Sequence, residues 1–270
     1  MNTTTERLEC IDIGANLTNK RFRNDLEEVL NSSRTAGVSQ IVLTGTSVAD
    51  SRNASDICSR HPELLFSTAG IHPHHASEFD ASQTVSQLEE LCERNHVVAV
   101  GECGLDFNRD FSPREDQRTC FQAHLDLAAK NGLPLFLHER DAFDEFHSMM
   151  QKQRDQITKA VVHCFTGPMK NAQAYLDLDL HLGITGWICD ERRGAHLREV
   201  VKRIPANRLM IETDCPYLAP KDVRPKINRN EPKYLPHILK TIAECRDQPV
   251  DELAAQILET TREFFGLPQA

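Results

Sequence analysis

The sequence predicts an α/β fold, a single (β/α)8 barrel of the TIM type over residues 1–270. Three observations carry that expectation. Eight short apolar runs alternate with helical patterns, and their starts recur about every 30 residues, near the spacing a barrel of about 250 residues requires. Several of these runs end abruptly on a carboxylate or an imidazole, where barrel strands deliver side chains to the C-terminal face. Ile13-Gly14-Ala15-Asn16 does not supply the Gly-x-Gly-x-x-Gly turn that an open doubly wound sheet would want after its first strand.

Taken in order, Leu8 to Ile13 reads as the first strand and Arg23 to Ala36 as its helix. Gln40 to Thr44 is the second strand, followed by a helix from Asp50 to Arg60. Leu64 to Ala69 is the third, with a helix from Thr84 to Asn95. Val97 to Gly101 is the fourth, apolar and mostly β-branched, as suits a strand buried on both faces. The long helix from Pro113 to Asn131 has Ser112 as its N-cap, Pro113 at its first position and Gly132 as its stop. Pro134 to His138 is the fifth strand, with a helix from Ala142 to Lys152, and Ala160 to Phe165 the sixth, with a helix from Met169 to Leu176. His181 to Thr185 and Arg208 to Thr213 are the last two strands, separated by a helix from His196 to Arg203. Helices from Leu235 to Glu244 and Val250 to Phe265 close the chain.

Composition narrows the class. With 40% hydrophobic and 26% charged residues, the 270-residue chain suits one soluble globular domain. No run approaches the roughly 18 apolar residues of a membrane span, and Met1 to Arg7 lacks the apolar core of a signal peptide. Nine cysteines, none in a Cys-x-x-Cys pair, point to reduced thiols and a cytoplasmic protein. A net charge of −9 argues against a wide positive field for nucleic acid, but not against an enzyme that feeds a short stretch of backbone to a metal. No heptad or long apolar edge argues for assembly, so a monomer is expected.

The strand tips carry the chemistry. Glu102, His138, His163 and Asp214 follow the fourth, fifth, sixth and eighth runs, and a buried strand has no use for such a side chain unless something there binds it. His72 follows the third, and Asp12 lies near the end of the first. Imidazoles and carboxylates without thiolates suit Zn, Mn, Fe or Mg, and a carboxylate such as Glu102 can bridge two ions. Asp214 can orient an attacking water or accept its proton. The reaction class is metal-assisted hydrolysis, with amide, ester and phosphodiester substrates all open. His74 and His75 read as solvated loop residues, and Cys103, Cys164 and Cys215 as packing outward from the ligands beside them. Lys221, Arg224, Lys226, Arg229 and Lys233, with Arg192 and Arg193, form basic loops that could lead a phosphate backbone to the barrel mouth. Arg140 could hold a phosphate, and Trp187 and Tyr217 offer stacking surfaces.

Five motifs bear a family resemblance: Gly70-Ile71-His72-Pro73, Gly101-Glu102-Cys103-Gly104-Leu105-Asp106, His163-Cys164-Phe165-Thr166-Gly167, Glu212-Thr213-Asp214-x-Pro216-Tyr217 and Arg229-Asn230-Glu231-Pro232. In this order, over essentially the whole chain, they resemble the TatD family of metal-dependent DNases. Asp12 to Thr18 and Gly186 to Gly194 place the resemblance in the TatD branch itself. The resemblance implies a barrel of the amidohydrolase kind and magnesium-dependent 3′→5′ exonuclease action on single-stranded DNA and RNA in the cytoplasm. It also implies Glu102, His138 and His163 as metal ligands and Asp214 as ligand or catalytic carboxylate. His72, Asn16, Arg140 and Arg229 are the expected substrate contacts. Where the wider family carries His-x-His after the first strand, this chain has Gly14-Ala15-Asn16. One tight ion and a second, weaker one are therefore expected; Mg fits that best, with Mn or Zn also able to occupy the site. An amide or ester hydrolase and a non-catalytic nucleic-acid-binding barrel are the competing readings.

Overall fold

In the computed structural model, which describes residues 8–269, the eight apolar runs lie side by side in chain order as one parallel sheet. The segment 1–7, read above for a signal peptide, lies outside the described residues. The strands are β1 (Cys10–Ala15), β2 (Val38–Leu43), β3 (Leu65–Ala69), β4 (Val97–Asp106), β5 (Leu135–Arg140), β6 (Ala160–Val162), β7 (His181–Ile184) and β8 (Leu209–Ile211). Between them run α1 (Leu26–Ala36), α2 (Val48–Cys58), α3 (Thr84–Cys92), α4 (Arg114–Asn131), α5 (Phe143–Gln153), α6 (Met169–Asp177) and α7 (Ala195–Val200); α8 (Leu235–Arg246) and α9 (Val250–Phe265) follow β8.

Successive side chains on each strand point to opposite faces, so the apolar runs feed two cores. Ile11, Ile13, Val42, Phe66, Phe136, Val161 and Met210 fill the barrel, and Phe264 and Phe265 of α9 join the same cluster. Their strand neighbours, such as Ile41, Leu65, Leu135 and Ile211, pack outward in the larger cluster under the helices. The barrel is thus a packed core rather than a pore.

The seam between β8 and β1 closes by a different device. Asp12 is fully buried, and its carboxyl accepts from the Thr213 amide at 2.9 Å and lies 2.5 Å from the Thr213 hydroxyl. Beyond it the Asp214 amide donates to Gly14 O and the Asn16 amide to Cys215 O, both at 2.8 Å. Asp12 is therefore a structural stitch.

Two local expectations fail for identifiable reasons. The fourth strand does not stop at Gly101; it continues through Glu102 to Asp106, with a shift of register between Gly101 and Cys103. Gly101 and Gly104 have φ of +141° and +142°, and a Cβ at either would strike a carbonyl of β5. They mark a bulge and a close approach inside the strand, not a turn. Ser112 does not cap α4. Its hydroxyl donates to His74 O at 2.9 Å and accepts from the Ser77 amide at 3.0 Å, fastening the turn Pro73–Glu78 over the barrel mouth. Gly132 does stop α4, in the left-handed region at φ +69°.

Candidate metal centre

The bulge in β4 turns Glu102 into the barrel mouth, where three imidazoles meet one of its oxygens. Glu102 Oε1 is 2.8 Å from His163 Nε2, 2.9 Å from His138 Nδ1 and 3.3 Å from His72 Nε2. Of the far nitrogens, that of His163 has a hydrogen-bond partner, whereas that of His138 is buried without one. His163 Nδ1 faces Glu212 Oε2 at 3.3 Å, and His138 Nε2 faces Asp106 Oδ2 at 3.5 Å. In a neutral His163 ring, a proton on Nδ1 toward Glu212 would leave the Nε2 lone pair for a metal, the arrangement of a carboxylate-backed ligand. His72 differs. Its Nδ1 accepts from the His74 amide at 3.0 Å, so the neutral ring carries its proton on Nε2 and is a donor toward Glu102.

The electrostatics follow from burial. Desolvation alone would raise the Glu102 carboxyl, but the His72 and His163 rings beside it and the hydrogen bonds from His138 and His163 hold it well below the usual range. Desolvation likewise works against charged imidazoles. At His163 the Glu102 and Glu212 carboxylates outweigh it and raise the ring well above its ordinary value; at His138 the Asp106 and Glu102 carboxylates also outweigh it and raise the ring. His72, with desolvation dominant, falls to about 4. Two lone pairs aimed at one carboxylate oxygen repel unless a positive charge sits between them. Without an ion, protons supply it; a divalent cation would replace both, and the nitrogen and oxygen donors suit Mg, Mn or Zn. The residues fit a metal.

Asp214 completes the floor. Its Oδ1 accepts from Asn16 Nδ2 at 2.9 Å, and burial, with Glu212 and Glu102 nearby, pushes its carboxyl up to about 7. Glu212 is held inside the barrel because Gly14 and Gly183 leave room for it; a Cβ on Gly183 would lie 2.6 Å from Glu212 Oε1. The same oxygen accepts from the Cys164 amide at 2.5 Å.

These groups line a cavity of about 730 Å³ whose rim carries Arg109, Arg140, Arg193, Trp187 and Tyr217. The structure thus brings Glu102, His138, His163, Asp214, His72, Asn16 and Arg140 together. It does not bring Arg229 there. That guanidinium is bidentate on Asp25 at 2.7 and 3.0 Å, pairs with Glu231 at 2.8 Å and lies over Phe22, so it clamps the loop after β8 to the start of α1. Lys233 pairs with Glu231 at 2.7 Å, and none of the basic side chains from Lys221 to Lys233 lines the cavity. His74 is no free loop residue: its Nε2 lies 2.7 Å from Asp106 Oδ2. Cys103 and Cys215 are buried away from the cavity, whereas Cys164 lines it. Sequence reasoning missed Asp106 and Glu212 as supports. The available signal was a charged residue directly following the apolar run Leu209–Ile211.

The motif order and this geometry agree with a family match across the chain. The family described as TatD related DNase matches residues 11–266. The chain belongs to the TatD-related DNase family. Among its relatives, the "3′-5′ ssDNA/RNA exonuclease TatD" of Pantoea ananatis is 47% identical over 258 residues, covering 95% of this chain and 99% of the relative. The protein of the same name from Erwinia amylovora is 48% identical with the same coverage. Among solved structures, the TatD homologue YJJV of Escherichia coli K12 superposes with a TM-score of 0.88 at 27% identity, covering 97% of this chain and 99% of that one. A TatD family hydrolase from Entamoeba histolytica gives 0.87 at 28% identity, covering 96% and 99%. The barrel and enzymatic hydrolysis by a TatD-family nuclease are therefore properties of this chain.

Proposed function

We propose that the protein is a magnesium-dependent 3′→5′ exonuclease acting on single-stranded DNA and RNA, the activity named for its relatives. The observation that carries the reading is the convergence of His138 and His163 on Glu102 Oε1, with the Glu212 carboxylate behind His163 and the Asp106 carboxylate 3.5 Å from His138. Glu102, His138 and His163 would hold one ion tightly, and Glu102 with Asp214 a second more weakly. A divalent ion bound there supplies a polarised phosphoryl oxygen and a more acidic water.

The remaining work falls to the chain's own side chains. Asp214, poised near neutrality and oriented by Asn16, accepts the proton of the attacking water. The water oxygen bonds to phosphorus while the bond to the O3′ of the preceding nucleotide breaks; that oxygen takes a proton from solvent water, releasing a mononucleotide and a shortened strand ending in a 3′-hydroxyl. His72 Nε2, released from Glu102 when an ion takes that oxygen, donates to a phosphate oxygen, Arg140 pairs with the backbone, and Trp187 and Tyr217 stack on bases. Tyr217 is 53% exposed, as a stacking surface at a cavity rim must be. The enzyme acts as a single-domain monomer in the cytoplasm. Among the described residues no helix is long and apolar enough to cross a membrane.

The test is degradation of 5′-labelled single-stranded DNA and RNA with magnesium, with manganese and with chelator. A metal-dependent ladder of progressively shorter labelled products is expected. Binding that persists in chelator without turnover, or immediate release of the labelled 5′ nucleotide, would overturn the reading.

A further inference from the structure

Behind the wall that carries Trp187, a second set of ligand-type side chains meets. Cys189, Asp222 and His237 each present one donor atom, all within 4.8 Å of one another. They come from three places in the chain: Cys189 ends the turn Gly186–Cys189 after β7, Asp222 lies in the loop after β8, and His237 stands in the first turn of α8. Asp222 Oδ1 is 2.8 Å from His237 Nε2, and both side chains are about one-third exposed, at 35% and 37%. Such a pair on its own is an ordinary surface contact. What distinguishes it is the sulfur behind it. Cys189 is 1% exposed and forms no disulfide, and its Sγ lies 3.5 Å from Thr241 Oγ1, one turn along α8 from His237.

We propose that Cys189, Asp222 and His237 form a second metal site, for zinc or a similar borderline-soft divalent ion, with water as the fourth ligand. One thiolate, one imidazole and one carboxylate are the donor types of tetrahedral zinc. A thiolate also discriminates against magnesium, so the two sites divide between two kinds of ion. Tetrahedral bonds of about 2.0–2.3 Å bring donor atoms to roughly 3.3–3.6 Å from one another. Asp222 Oδ1 and His237 Nε2, now 2.8 Å apart, must open by about half an ångström to reach that spacing, and both side chains are exposed enough to adjust toward the buried sulfur. The ion enters from the solvent side that Asp222 and His237 face, and it replaces the proton of the buried thiol, which is released to solvent water.

The position gives the site a consequence. Trp187, two residues before Cys189, lines the main cavity, and so do Tyr217 and Leu218 at the start of the loop that carries Asp222. An ion here would staple the two loops that form this side of the rim, independently of the ions held at Glu102.

The experiment uses cobalt(II) as a spectroscopic stand-in for zinc, titrated into the full chain saturated with magnesium. A thiolate-to-cobalt charge-transfer band growing to one equivalent is expected. It should vanish in Cys189→Ser, weaken at least about 10-fold in apparent affinity in His237→Gln and in Asp222→Asn, and persist in Cys164→Ser. The last variant matters because Cys164 lines the main cavity. The two part-exposed substitutions keep the test valid if Cys189→Ser folds poorly. No band in the wild-type protein, or a band that survives loss of Cys189 or depends on Cys164, would overturn the proposal. Zinc should also slow tryptic cleavage after Lys221 and Lys226 in the wild-type chain; cleavage that zinc leaves unchanged would overturn the staple.

Discussion

Asp12, fully buried, and Asp214, partly open to the cavity, both sit at the β1–β8 seam, yet their partners give them different tasks. Burial pushes Asp12 from its ordinary 3.8 to about 8, against the hydrogen bonds from Thr213, so at neutral pH the folded protein keeps it protonated. A carboxyl whose folded value is raised contributes stability that is fully present below its ordinary value and is lost as pH rises through the folded one. Stability should therefore fall between about pH 4 and pH 8, and Asp12→Asn should flatten that slope. The amide can accept from the Thr213 amide and donate to the Thr213 hydroxyl, so Asp12→Asn should cost under about 1 kcal/mol, whereas Asp12→Ala should cost about 2–4 kcal/mol. Denaturant melts from pH 4 to 8 check both. Asp214 faces the cavity, and its rise to about 7 suits a proton acceptor. Exonuclease rate should climb with pH to a shoulder near 7, and Asp214→Asn should lower kcat by about 10²–10⁴ without weakening substrate binding comparably. His138 and His163 give a third residue-scale expectation. Both rings are raised by the carboxylates around them, so metal binding must displace their protons. Apparent affinity should fall steeply as pH drops, and calorimetry in buffers of different ionisation enthalpy should show up to two protons released.

At the scale of elements, the site depends on where glycine leaves space. Gly14 on β1 and Gly183 on β7 together accommodate the Glu212 carboxylate that backs His163. Gly183→Ala should displace Glu212 and weaken metal binding about 10–100-fold, much as Glu212→Gln would, with a smaller effect on the melting temperature than on affinity. Metal titration beside a thermal melt separates the two. The same physics explains what the sequence concealed. The apolar run of β4 was legible because both its faces are buried, but its expected end at Gly101 was not its end. Their role, a bulge pressed against β5, depends on a neighbour 35 residues away (Gly101 pairs with Phe136). Glu102, His138, His163 and Asp214 were legible because a polar residue at a buried strand tip is costly without a partner. Asp106 and His74 were not, since nothing local to either residue announces the pairing. Arg229 looked like a phosphate contact for the opposite reason: its charge was visible, and its neutralisation by Asp25, about 200 residues earlier (229 − 25 = 204), was not.

At the scale of the molecule, the barrel separates stability from chemistry along its axis. Phe264 and Phe265 of α9 share the inner cluster with Ile11, Phe66 and Met210, while Glu102 and its imidazoles occupy the C-terminal ends of the strands. Phe264→Ala should cost about 3–5 kcal/mol yet leave kcat/KM nearly unchanged well below the melting transition. The alternation of strand and helix made the whole architecture readable in advance, because a parallel strand must be followed by a crossover and eight such units close. The acidic total of −9 confines attraction for nucleic acid to the rim arginines Arg109, Arg140 and Arg193. Cleavage should consequently be more salt-sensitive in KM than in kcat. If the metal centre is built on the Glu102 carboxylate, its loss must be felt first in metal affinity. Manganese binding, followed by the loss of the free-ion electron paramagnetic resonance signal, tests it directly in the wild-type protein and in Glu102→Gln. The account expects affinity to fall at least about 10-fold in the variant, with strand degradation lost in step. A folded Glu102→Gln protein that binds manganese as tightly as the wild type would contradict it.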